Sequence, residues 1–144
     1  MKLFKFSIIL ILPLILATFV STGKAEAAMS SYQELYGKKG CYVRVWTDAP
    51  TYYKGATTVD WYAESKGTCG KLDYKATLVP LDGYWSYKYI YQTGYFSNRT
   101  PTKSFALNSS TWASSGYGYV SVELSQNGRD IDGVESNNIY IHAQ

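Results

Sequence analysis

The chain has 144 residues, a formal charge of +3, 15 Tyr, four Trp, two Cys and a single His. One His argues against a zinc site or a serine triad. Beyond residue 27 only 11 basic and 10 acidic side chains remain, so no basic face is on offer to nucleic acid.

Residues 1–28 have the order of a secretory signal. Lys2 and Lys5 precede an apolar run from Phe6 to Val20, and Ala25-Glu26-Ala27-Ala28 supplies small residues for cleavage. The run is shorter than the roughly 20 residues that span a bilayer, and Pro13 interrupts it. The expectation is cleavage after Ala27 or Ala28, a secreted, extracellular product and no stable membrane insertion. No Cys stands at the cleavage region after the run to carry a lipid, and the C-terminal residues show no hydrophobic tail.

Residues 29–40 are polar with two Gly and read as a flexible N-terminal arm, with a helical turn over Tyr32–Tyr36 as an option. Residues 41–144 read as one β-domain. Cys41–Thr47 alternates, with Cys41, Val43 and Val45 on one face and Tyr42, Arg44 and Trp46 on the other. Thr57–Glu64 sets Val59, Trp61 and Ala63 against Asp60, Tyr62 and Glu64. Lys71–Val79 aligns Leu72, Tyr74, Ala76 and Leu78. Pro80–Gly83 is a turn signal. Tyr84–Tyr91 is ambiguous, and Gly94–Pro101 reads as a loop. Thr102–Leu107 turns Phe105 and Leu107 inward. Asn108–Ser115 is a polar connection carrying Trp112. Tyr117–Ser125 places Val120, Val122 and Leu124 inward and Tyr117, Tyr119, Ser121 and Glu123 outward. Asn127-Gly128 is a hairpin turn signal. Asn138–His142 closes the chain with Ile139 and Ile141 inward and Tyr140 outward.

The spacing predicts an all-β fold, a small antiparallel β-sandwich. Trp112–Val122 resembles the turn, tyrosine and alternating strand near the end of immunoglobulin and fibronectin type III domains. Ser136–Ile141 resembles their closing strand. The resemblance implies an immunoglobulin/fibronectin-III-like sandwich, with a jelly roll as the alternative. Cys41 and Cys69 are expected to pair, as cysteines in exported domains do.

Chemistry-bearing motifs are few. No G-x-S-x-G elbow accompanies His142. Asp60 and Glu64, four apart on one strand, are too distant for a retaining carboxylate pair, which leaves a cross-strand pair such as Glu64 with Glu123 as a candidate. Asn127–Glu135 has the look of a calcium loop, with Asp130, Asp132 and Glu135 as candidate ligands, but it lacks the third ligand of the usual pattern. No cofactor is expected. The aromatic surplus is the sharpest signal. Tyr42, Trp46, Tyr62, Tyr117, Tyr119 and Tyr140 face away from the apolar side, and Tyr52, Tyr53, Tyr95 and Trp112 lie in loops. Such rings suit binding surfaces. The candidate ligand-binding residues are Tyr42, Trp46, Tyr62, Trp112, Tyr117, Tyr119 and Tyr140. The expected function is a secreted non-catalytic module contacting an extracellular glycan, the cell wall or a protein surface. The alternatives are a matrix-type protein that assembles through its β edges, and then an inhibitor, a toxin or a glycoside-active enzyme.

Overall fold

A computed structural model describes residues 27–81 and 90–144. Their strands, in chain order, are β1 (Ala28–Met29), β2 (Gln33–Glu34), β3 (Cys41–Thr47), β4 (Thr51–Tyr52), β5 (Thr58–Gly67), β6 (Leu72–Pro80), β7 (Tyr91–Phe96), β8 (Lys103–Ala106), β9 (Gly116–Gln126), β10 (Arg129–Glu135) and β11 (Ile139–Ile141). No helix occurs among the described residues. The leader up to residue 26 and the ambiguous stretch from Tyr84 to Tyr89 lie outside them.

Two-residue periodicity builds both sheets. Cys41, Val43, Val45 and Thr47 are buried along β3 while Tyr42, Arg44 and Trp46 are half-buried on the other side. Val59, Trp61 and Ala63 of β5 share that interior. These strands form sheet I, in the order β1-β3-β5-β8, with β2 also pairing β3. In sheet II the order is β4-β11-β9-β6-β7, and β10 pairs β9. Val120, Val122 and Leu124 of β9 and Leu72 and Ala76 of β6 turn inward from it. The inner faces pack together: Trp61 of sheet I meets Tyr74 of sheet II edge-on at 5.8 Å, and Trp61 stacks on Phe105 at 5.8 Å. Each such fully buried side chain contributes about 1.5–3 kcal/mol of transfer free energy.

Cys41 and Cys69 are bonded, with Cα atoms 4.6 Å apart. The bridge sits where the chain leaves β5 for sheet II, and ties that crossover back to the start of β3. Asn127 and Gly128 both take positive φ, 54° and 72°, as a tight hairpin between β9 and β10 requires.

Three expectations need correction. Residues 29–40 are not a loose arm over their whole length: β1 and β2 pair with β3, Ser30 N donates to Val45 O at 2.9 Å, and Leu35 is buried. Edge pairing and one buried leucine override the polar composition, and no helical turn forms at Tyr32–Tyr36. Gly94 and its neighbours are strand rather than loop, because β7 pairs with β6 in a register that runs from Thr77↔Tyr91 to Leu72↔Phe96. The segment read as a calcium loop is β10, an edge strand with a bulge between Asp130 and Asp132.

Candidate functional site

The outward rings do not form one patch; they divide between the two outer faces of the sandwich. On sheet II, antiparallel register sets Tyr140 of β11 directly across from Tyr117 of β9. Their rings meet edge to face at 4.9 Å. His142 continues the line, edge-on to Tyr140 at 5.1 Å, and Tyr53 stacks on His142 at 5.3 Å. Parallel pairing of β4 with β11 brings Tyr53 there, and Gln144 holds the loop by donating from Nε2 to Tyr53 O at 3.3 Å and accepting from Gly55 N at 3.0 Å. Tyr53 is 70% and Tyr117 53% exposed. Tyr119, half-buried, follows Tyr117 on the same face, across from Val79 of β6. Farther along, Tyr91 and Tyr95 are exposed beside Lys75 and Lys71, with the cations 5.6 and 4.0 Å from the ring centroids. Lys75 is itself paired with Glu123 at 3.2 Å.

Sheet I presents a different surface. Its cross-strand rows are Tyr42 with Lys66, Arg44 with Glu64, and Trp46 with Tyr62. Trp46 stacks on Tyr62 at 4.8 Å, and the Arg99 guanidinium covers the same tyrosine at 3.5 Å. An isolated bridge between Glu64 and Arg99 places that arginine. Tyr62 is consequently only 8% exposed. Arg44 forms an ion pair with Glu64, and Tyr32 donates to the same carboxylate at 3.2 Å. Arg44 and Lys66 lie over the Tyr32 ring at 4.4 and 4.0 Å. Burial, and then the charge of Glu64, raise the Tyr32 phenol above its ordinary pKa. The bond to Glu64 likewise raises that of Arg44.

Trp112 belongs to neither face. It is buried at 1% exposure, and its Nε1 donates to Ile141 O at 3.2 Å. Its ring fills the space left by Gly118 on the inner row of β9; a Cβ there would come within 2.7 Å of the indole. Tyr52 belongs to β4 and is also inside, its hydroxyl donating to Asp48 at 2.6 Å, and burial followed by Asp48 raises its pKa. Glu64 and Glu123 point outward from opposite sheets, so they do not face each other. Asp132 is engaged by the backbone N–H groups of Tyr36 at 2.6 Å and Gly133 at 2.8 Å. It does not join Asp130 and Glu135 in a metal-binding group, and no such group exists among the described residues. Tyr53, His142, Tyr32 and Arg99 complete the two faces. Tyr53 carried a signal as one of the loop aromatics, and His142 shares the parity of Tyr140 on the last strand, whereas nothing in the sequence pointed to Tyr32 or Arg99.

Residues 25–142 match the YqgA MG2 macroglobulin domain family. A protein of Bacillus subtilis (strain 168) named cell wall-binding protein YqgA is 51% identical over 108 residues, covering 73% of this chain and 74% of that one. No solved structure matches the chain significantly. The chain belongs to the YqgA MG2 macroglobulin domain family, and its two-sheet sandwich is of the immunoglobulin-like type.

Proposed function

We propose, with membership of that family as the premise, that this protein is an exported, non-catalytic module that binds cell-wall polysaccharide through the outer face of sheet II. The observation that carries the reading is the open line of rings Tyr117, Tyr140, His142 and Tyr53. Tyrosine offers broad apolar contact for the C–H faces of sugars and a hydroxyl for their rims, at little entropic cost. The Bacillus subtilis relative, whose name describes wall binding, supports the ligand class. The signal-like order of residues 1–28 supports export. Tyr42 and Trp46 on sheet I are the second choice, because their neighbours already cover much of the ring surface. Assembly through sheet edges has less support: β1, β2 and β4 have two residues each and β8 has four, too short to template pairing well, β10 is interrupted by its bulge, and among the described residues only the six of β7 form a longer regular edge.

Co-sedimentation of the domain from residue 28 onward with purified wall sacculi tests the reading. Tyr117→Ala with Tyr140→Ala should weaken retention about tenfold, as loss of a central aromatic pair does at other interfaces. Undiminished retention would overturn the choice of face, and failure of the unmutated domain to sediment would overturn wall binding itself.

A further inference from the structure

One end of the sandwich holds an open cleft of about 470 Å³, lined by Gly37, Lys38, Gln126, Asn127, Arg129 and Ile131. Two cations and two amides line it, and no carboxylate does. Among the described residues neither Lys38 nor Arg129 has an ion-pair partner. The nearby carboxylates are turned elsewhere: Asp132 is held by the Tyr36 and Gly133 N–H groups, and Asp130 lines the surface shared with Lys75 and Glu123.

The walls are built rather than loose. Lys38 donates to Gln126 Oε1, and Gln126 Nε2 donates onward to Cys69 O at 3.2 Å and Lys71 O at 2.7 Å. Cys41 N donates to Lys38 O at 3.1 Å, so the disulfide anchors the same loop. Gly37 lies so close to β10 that a Cβ would sit 2.6 Å from Ile131 O. The positive φ values of Asn127 and Gly128 fix the opposite wall.

We propose that this cleft binds a phosphodiester group of an anionic wall polymer. Lys38 approaches from the loop between β2 and β3 and Arg129 from the start of β10, and two cations reaching one oxyanion from different elements suit the several lone-pair directions of a phosphate. A cleft of this volume also has room for the units flanking the phosphate. The inference rests on the wall-binding reading for where the polymer is met, while the site uses residues outside the ring line.

Calorimetry with soluble poly(glycerol phosphate) tests it. Lys38→Gln with Arg129→Gln should weaken affinity about tenfold, and raised salt should weaken it further. Lys66→Gln with Lys103→Gln removes the same charge from sheet I and should change affinity by less than about twofold. Equal losses in the two double variants would reduce the attraction to net charge and overturn the site. So would equally tight binding of polygalacturonate, or no binding of poly(glycerol phosphate) by the unmutated domain. Sacculus retention without poly(glycerol phosphate) binding would overturn this inference and leave wall binding standing.

Discussion

The two outer faces arise from the same alternation, yet they offer different chemistry. On sheet I the rings are consumed internally: Trp46, Tyr62 and Arg99 stack, and Arg44, Tyr32 and Lys66 form a second column beside Glu64. On sheet II the line from Tyr117 to Tyr53 has rings above and below but no cation capping it among the described residues. Outward direction is therefore not availability. A ring becomes a binding surface only where its cross-strand neighbours leave a face uncovered, and charged neighbours are what cover the rings of sheet I.

The sharpest way to separate core from contact is Trp112→Ala. It should cost about 3–5 kcal/mol in denaturant unfolding, as removal of a buried tryptophan does, with sacculus retention preserved while the domain stays folded. Cys41→Ala with Cys69→Ala should cost about 3–4 kcal/mol by freeing the unfolded chain, and should leave the ring line of sheet II intact. Trp46→Ala should cost about 1 kcal/mol through the lost stack on Tyr62, with little change in wall retention. An outcome with the reverse pattern, stable but unable to bind, would transfer the contact to sheet I.

Tyr52→Phe tests the strand that leads into Tyr53. Loss of the bond to Asp48 should cost about 1 kcal/mol. It should also change the alkaline limb. The folded state holds the Tyr52 proton more tightly than the unfolded chain, because burial and then Asp48 raise its pKa. That stability is complete below the ordinary phenol value of about 10 and is lost as pH rises beyond it. Stability curves measured from neutral to strongly alkaline pH should therefore fall less steeply in the phenylalanine variant.

Much of the sandwich is legible in the sequence. β3, β5, β6, β9 and β11 alternate cleanly, and Asn127-Gly128 announces its hairpin. The missed strands are those whose pattern is set by partners. β1, β2 and β4 are two residues long and have no period to read. β7 carries Gly94, which resembles a loop residue but is needed because Tyr74 lies against it; a Cβ would approach that ring within 2.9 Å. β10 is disguised by its bulge, which shifts phase so that Ile131 and Val134, three apart, both pack toward the core. For the site, parity identifies which rings face outward but not what covers them. It leaves Tyr62 open, whereas Arg99, from a segment without alternation, caps that ring. Trp112 sits in a polar stretch, and the only hint of its burial is the pair Gly116 and Gly118 on an otherwise apolar inner row, leaving a space for a large ring.

Hydroxyl-radical footprinting of the domain free and bound to wall sacculi tests the choice of face most directly. Tyr53, Tyr117 and Tyr140 should become protected while Tyr32, Tyr42 and Trp46 react as before. Protection confined to the latter three would contradict that choice.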